Sequence, residues 1–374
     1  MKILADAHIP YLKGTAKQFG DVEYLPGNQF SKEAIKEKDA LIVRTVTHFG
    51  EEILEGSNVK LICSATIGYD HIDTAYCDSH NIAWRTAPGC NANSVEQYVT
   101  ASLLFLAQKH SFELKDKTIG IVGVGNVGSK VEAACRKLGM RVLLNDPPLV
   151  ETMHASSQSR NYVDLEIIKR EADIITLHVP LTKNGKYATY HMADERFFDE
   201  LERKPFIINS CRGSVADNQA WTKAIKEGKV SGSVIDCWEN EPDIDAELLE
   251  LADIATPHIA GYSADGKWTA TKMSLENLND FFGSGIHPIA FQEIPAPALP
   301  VINLAEIPAN EQLQHTVWHT YNPMKETVDL KSEPEKFYWF RSHYPLRREY
   351  HAYTVVNADP AVSEILSKLG FRIQ

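Results

Sequence analysis

The sequence predicts an α/β fold with parallel sheets, in two lobes followed by a smaller α+β unit. Three observations predict it. Short apolar runs bounded by turn residues alternate with helix-period segments through most of the 374 residues. One such run leads through Gly123-Val124-Gly125-Asn126-Val127-Gly128 into a helix-period segment. Pro288, Pro295, Pro297 and Pro300 then interrupt the periodicity before a last stretch of strand and helix signals. At roughly 150 residues per domain, the length accommodates two to three domains.

The first lobe, expected over residues 1–93, opens with the apolar run 2–5 and continues with 40–44, 61–65 and 82–85, each closed by polar or glycine-bearing turns. Val95, Tyr98, Val99, Ser102, Leu103 and Leu106 recur at helical spacing, so 94–109 reads as a long helix opening a second lobe over 94–261. Six strand candidates follow it, at 118–122, 141–145, 174–178, 206–209, 233–235 and 254–256. A helical segment at 267–282 is expected to return the chain to the first lobe, which regains about 262–287. In the C-terminal unit, 288–374, residues 350–356 read as a strand, Asp359-Pro360 as a helix start and Gly370 as its stop.

Charge narrows the partners. Lys and Arg number 38 against 50 Asp and Glu, a net charge of −12 that argues against duplex nucleic acid or an anionic membrane as partner. The opening Met1-Lys2-Ile3-Leu4-Ala5-Asp6 meets an acid too early for a secretory h-region, and no apolar run approaches the roughly 18 residues of a membrane span. A cytoplasmic protein is expected. The six cysteines, Cys63, Cys77, Cys90, Cys135, Cys211 and Cys237, form no C-x-x-C pair and lack zinc-ligand spacing, so neither disulfides nor a metal are expected.

The glycine turn follows the strand candidate 118–122 and opens a helix through Val131, Ala134, Cys135 and Leu138. Gly123 permits the tight turn, Gly125 lets backbone approach a pyrophosphate, and Gly128 allows close helix packing; with Asn126 and Val127 the helix N-terminus offers N–H donors and partial positive charge. Asp146, 18 residues past Gly128 at the end of the next strand, can accept bonds from both adenosine-ribose hydroxyls and would repel a 2′-phosphate. Pro147 and Pro148 stand where an Arg or Lys would pair with such a phosphate. The cofactor expected is NAD.

Three later strands end in Asn209-Ser210-Cys211-Arg212-Gly213, Asp236-Cys237-Trp238-Glu239-Asn240-Glu241-Pro242 and Thr256-Pro257-His258-Ile259-Ala260-Gly261. The carboxyl ends of an open parallel sheet line one crevice, so these groups converge on the cofactor side. Oxidising a 2-hydroxy acid needs a clamp for the carboxylate, a base for the hydroxyl and a carbon held against the nicotinamide. Arg212 can clamp bidentately. His258, with an ordinary pKa of about 6.5, can take and return the proton. Glu241 can orient the ring and stabilise the imidazolium. Asp236 either meets the nicotinamide ribose or orients its neighbours.

These strand-end sequences, the glycine turn with Asp146, and His178-Val179-Pro180-Leu181-Thr182 make the chain resemble the D-isomer-specific 2-hydroxyacid dehydrogenases. Val43-Arg44-Thr45-Val46-Thr47, the run from Ala65 to Asp73, the run from Ala87 to Ala92, Asn145-Asp146-Pro147-Pro148 and the ending Leu366-Ser367-Lys368-Leu369-Gly370-Phe371 are similar to a branch of that family acting on a phosphorylated hydroxy acid. The resemblance implies a flavodoxin-like substrate lobe, a doubly wound Rossmann NAD-binding lobe with the active site in the cleft, and a C-terminal α+β dimerisation domain building a homodimer. It implies Arg212, Glu241 and His258 as catalytic residues. Thr176, Ser210, Cys211, Arg212, Asp236 and Gly261 join the turn and Asp146 as cofactor contacts, and Thr45, Thr66 and Tyr262 match substrate contacts. The sequence departs from many relatives after Arg212, where Ser214 replaces a second glycine.

A phosphorylated substrate in an acidic protein needs a local basic site. Arg44, beside the hydroxyls of Thr45 and Thr47, is the expected phosphate clamp, and Arg347-Arg348 in the tail reads either as a solvated helix face or as added positive charge across a dimer interface. The same catalytic set also suits a glycerate, lactate or 3-phosphoglycerate dehydrogenase. A non-catalytic NAD-sensing binding protein would need the glycine turn alone.

Overall fold

The structure, a computed structural model, describes residues 1–152 and 162–374. The chain divides into two compact units, Met1–Asn91 with Ser263–Pro295 and Ala92–Tyr262 with Ala296–Gln374.

The first unit is built on a parallel sheet of five strands: β1 (Lys2–Asp6), β2 (Asp21–Leu25), β3 (Ala40–Val43), β4 (Leu61–Ser64) and β5 (Ala83–Arg85), in the order β2-β1-β3-β4-β5. The central strands β3 and β4 are buried at every position, as strands covered on both faces must be. Sequence reading missed β2. It is an edge strand whose Asp21 and Glu23 interrupt the apolar run, so the pattern carries little burial signal. The helix Ala264–Phe282 packs Ala270, Leu275 and Leu278 into this unit's core with Ile3, Ile42 and Leu61. Ser263 caps it by accepting from Gly266 N at 2.8 Å, and Gly283 ends it at φ 59°.

The second unit carries β6 (Thr118–Val122), β7 (Arg141–Asn145), β8 (Ile174–Leu177), β9 (Phe206–Asn209), β10 (Gly232–Ile235) and β11 (Ile254–Ala255), all parallel, in the order β11-β10-β9-β8-β6-β7. The strand order reverses direction at β6, which pairs β7 on one side and β8 on the other. A ligand in such a sheet binds beyond the carboxyl ends at that switch point. The glycine turn follows β6 directly.

The C-terminal segment adds a parallel sheet of β12 (Val301–Asn303), β13 (Thr354–Val356) and β14 (Arg372–Ile373). Sequence places a boundary before residue 288; from Ala296 onward the structure packs the tail into the second unit's core. Ile302, Leu304, Val317, Val355 and Leu366 share that core with Val99 and Leu103 of the helix Ala92–Lys109 and with Val131 and Leu138. The single strand expected at 350–356 begins instead as a 3₁₀ turn, Tyr350–Ala352. Three residues per turn put Tyr350 and Tyr353 on one side, and both are buried. The helix Pro360–Leu369 has the expected ends: Asp359 Oδ1 accepts from Ala361 N at 2.9 Å, and Gly370 is left-handed at φ 114°. Among the described residues no helix is long and apolar enough to cross a membrane.

Candidate active site

The three glycines of the turn stand in different surroundings. Gly123 has φ 89°, and a Cβ there would lie 2.6 Å from His178 O. A Cβ on Gly128 would lie 1.9 Å from Gly123 O, so the helix Asn126–Lys137 can start this close to β6 only without a side chain. Gly125 faces open space, with nothing within 4 Å of where its Cβ would stand. Asp146, just past β7, accepts from Val124 N at 2.7 Å through Oδ2 and from Leu149 N at 3.0 Å through Oδ1, which ties the turn to the end of β7.

At the ends of β8 and β9 lie two buried polar atoms without partners among the described residues, His178 Nδ1 and Ser210 Oγ. The other His178 nitrogen meets Thr176 Oγ1 at 2.9 Å, and burial pushes the imidazole down to about 3, so the ring is neutral. A bare backbone at Gly125, a helix N-terminus rich in N–H donors and unsatisfied polar atoms at neighbouring strand ends fit a dinucleotide. Bound there, NAD supplies the hydride acceptor.

Pairing of β9 with β10 and of β10 with β11 sets their carboxyl ends side by side, so Arg212, Glu241 and His258 emerge from adjoining strand ends of one sheet. Arg212 Nη1 donates to Cys211 O at 2.7 Å, and Asn209 Nδ2 holds Arg212 O at 3.0 Å. The loop then runs so close to the end of β10 that a Cβ on Gly213 would lie 1.9 Å from Trp238 O. Glu241 accepts from Trp238 N at 2.9 Å and pairs with His258 Nδ1 at 2.8 Å through Oε2. Burial opposes the charge of Glu241, but the His258 bond, the Trp238 N–H and nearby Arg341 outweigh it and hold the carboxyl below its usual range.

His258 adopts φ 56°, a left-handed backbone that costs a non-glycine residue on the order of 1–3 kcal/mol. Two buried side chains hold the loop in that shape. Asp236 accepts from Ile259 N at 2.7 Å, Ala260 N at 3.0 Å and Thr256 Oγ1 at 2.6 Å. From the tail, Arg347 donates to Ile259 O at 3.2 Å, Ala260 O at 2.5 Å and Ser94 O at 3.0 Å, with its guanidinium stacked 4.1 Å from the Tyr321 ring centroid. Asp236 thus orients its neighbours, one of the two roles expected of it. Arg347 is neither a solvated helix face nor a group free to reach a partner; it is buried inside its own chain. Gly261 and Tyr262 follow, with Tyr262 N donating to Ile259 O at 2.8 Å.

Cys237 Sγ lies with Glu241 and His258 in a grouping of metal-ligand type, their ligand atoms within 4.8 Å of one another. Burial pushes the Cys237 thiol far above its usual range, and that of Cys211 up to about 11, so neither presents a thiolate.

In the first unit Arg44 pairs with Asp6. Its Nε and Nη2 donate to Asp6 Oδ2 and Oδ1 at 2.8 and 3.2 Å, and the Asp6 side chain is fully buried. Thr47 Oγ1 donates to Gly27 O, which leaves the exposed Thr45 as the open hydroxyl of the expected clamp. Thr66 Oγ1 donates to Gly68 O at 3.1 Å and meets Ser64 Oγ at 2.7 Å, and Ser64 in turn meets buried His71 Nε2 at 3.2 Å.

Burial lowers His71 to about 4, so it stays neutral where an unfolded histidine, at 6.5, takes up a proton. Between those values the unfolded chain binds more protons, and stability falls as pH falls, by up to about 1.4 kcal/mol per pH unit for this ring. Urea midpoints measured at pH 7 and pH 5 should show the loss, and His71→Asn should reduce it; a midpoint independent of pH in the parent would contradict the assignment.

Sequence reading missed Asp6, Arg341 and the internal role of Arg347. The tail's pattern shows where helices and strands lie but not which loop an arginine faces.

Comparison with known families agrees with this geometry. Residues 91–260 match the model described as "D-isomer specific 2-hydroxyacid dehydrogenase, NAD binding domain", and 294–370 match one described only as a domain of unknown function. The chain is 49% identical over 359 residues to an erythronate-4-phosphate dehydrogenase of Bacteroides thetaiotaomicron, covering 95% of this chain and 99% of that protein. It is 43% identical over 372 residues to the enzyme of that name from Porphyromonas gingivalis, covering 99% and 100%. Among solved structures, D-lactate dehydrogenase from Aquifex aeolicus complexed with NAD and lactic acid superposes with a TM-score of 0.62 at 25% identity, over 79% of this chain and all of that one. The NAD-bound 3-phosphoglycerate dehydrogenase of Entamoeba histolytica gives a TM-score of 0.63 at 25% identity, over 79% and 99%. The protein is an NAD-dependent oxidoreductase, and it belongs to the erythronate-4-phosphate dehydrogenase family within the D-isomer-specific 2-hydroxyacid dehydrogenases.

Proposed function

We propose that this enzyme oxidises 4-phospho-D-erythronate to 2-oxo-3-hydroxy-4-phosphobutanoate with NAD, a cytoplasmic step in pyridoxal 5′-phosphate biosynthesis. The observation that carries the reading is the Glu241–His258 pair, 2.8 Å apart at the carboxyl end of the nucleotide-binding sheet. Glu241 engages Nδ1 and thereby leaves Nε2 to accept the C2 hydroxyl proton as the C2 hydride departs. Arg212 clamps the carboxylate, so that C2 and its hydrogen are held in one orientation. Thr45, Thr66 and Tyr262 complete the substrate contacts.

Steady-state assays on 4-phospho-D-erythronate, D-glycerate, D-lactate and 3-phosphoglycerate test the choice of substrate. The phosphorylated four-carbon acid should exceed the others in kcat/KM by at least about tenfold. Equal or higher values for any of the others would replace it.

We assign self-association to the C-terminal segment, which exposes Leu299, Val301, Val328, Tyr338 and Trp339. A contiguous apolar patch built from these side chains would mark an interface. A monomer in analytical ultracentrifugation would rule out the homodimer.

A further inference from the structure

The charged groups of the second unit include one whose guanidinium is only loosely answered. Arg341 lies in the short helix Phe337–Ser342 of the C-terminal segment. Its Nη1 stands 3.6 Å from Glu241 Oε2, beyond hydrogen-bond range, and its side chain is 30% exposed. Tyr262 hydrogen-bonds the guanidinium. Its Nε is buried with no partner among the described residues. Burial works against the charge, but Tyr262 and Glu241 outweigh it and keep the group cationic. A guanidinium has five N–H donors, and one phenol with one distant carboxylate leaves part of that fork open.

Two other candidate cations make more direct bonds than Arg341 does. Both oxygens of Asp6 hold Arg44, and Arg347 is buried among carbonyls of its own unit. Arg341 also has the right neighbours, since Glu241 is the partner of His258. A substrate with its reacting hydroxyl at His258 carries its far end only a few bonds away. Glu241, a like charge to phosphate, is already answered by His258 and by the Trp238 N–H, which limits its repulsion.

We propose that Arg341 forms an anion subsite beside the Glu241–His258 pair and takes the phosphate monoester end of the substrate while Arg212 takes the carboxylate. The assignment rests on the substrate reading given above. It makes the C-terminal segment a source of specificity: Arg341 recognises the substrate's second anionic group.

The test compares Arg341→Met and Arg341→Lys with the parent enzyme on 4-phospho-D-erythronate and on D-erythronate. Losing a charge-assisted hydrogen bond should lower the ratio of the two kcat/KM values about tenfold to a hundredfold in Arg341→Met, chiefly through KM, with partial recovery in Arg341→Lys. Calorimetry of inorganic phosphate binding to the NADH complex should show a loss of at least about tenfold in the Met variant. An unchanged ratio, with kcat falling alike on both acids, overturns the subsite and assigns Arg341 to holding Glu241. If the parent turns over neither acid, the substrate reading fails on its own and the calorimetry decides the subsite. Equal phosphate affinity in parent and variant, or none in the parent, overturns it.

Discussion

His258→Asn is expected to lower kcat about a hundredfold to ten-thousandfold while NADH binds within a few-fold of the parent value. The asparagine amide can stand near the Nδ1 position and still donate to Glu241, so the 2.8 Å pairing and the loop around it have a substitute. What disappears is the second ring nitrogen, the atom proposed to receive the hydroxyl proton. Stopped-flow turnover and NADH fluorescence titration measure the two quantities separately. A variant that keeps more than about a tenth of kcat would remove His258 from the proton path.

Gly128→Ala is expected to weaken NADH binding at least about a hundredfold and to destabilise the fold by about 1–3 kcal/mol. The added methyl would sit 1.9 Å from Gly123 O, an atom of the backbone that no rotamer change can move. Relief requires the helix Asn126–Lys137 to shift away from β6, which displaces the N–H groups aimed at the pyrophosphate. Gly125→Ala is the matched control. Its methyl enters open space, so stability should hold while affinity falls, because that space is where the phosphates approach. Fluorescence titration and urea unfolding distinguish the two variants. Parent-like affinity in both would place the cofactor elsewhere.

Much of this site is legible in the sequence. The turn from Gly123 to Gly128 is local chemistry, and its constraints act within a few residues of the chain. Arg212, Glu241 and His258 were readable for another reason: parallel strands deliver their carboxyl ends to one side, so sequence position after an apolar run becomes spatial position. The reading of Arg44 was less complete. A guanidinium next to two threonines looks available until Asp6, 38 residues earlier, is folded against it. Edge strand β2 and the short strands of the tail were hidden because half-exposed or two-residue strands leave no strong alternation. Arg341 and Arg347 were invisible as site residues because pairing across more than 80 residues leaves no periodic mark.

The grip of Arg347 on the Ile259 and Ala260 carbonyls bears on how this enzyme can have diverged. An appended module normally evolves at arm's length from the chemistry of its host. Here the appendage is a keystone: cutting the chain after Pro295 would take Arg347 away from the loop that carries the proposed base and leave its Ile259 and Ala260 carbonyls only the Tyr262 N–H and the Ser94 hydroxyl. Grafting the tail onto a shorter dehydrogenase would therefore require transplanting with it the receiving loop and the turn of helix from Ser94 to Gln97, whose Oε1 accepts from Arg347 Nε at 3.0 Å.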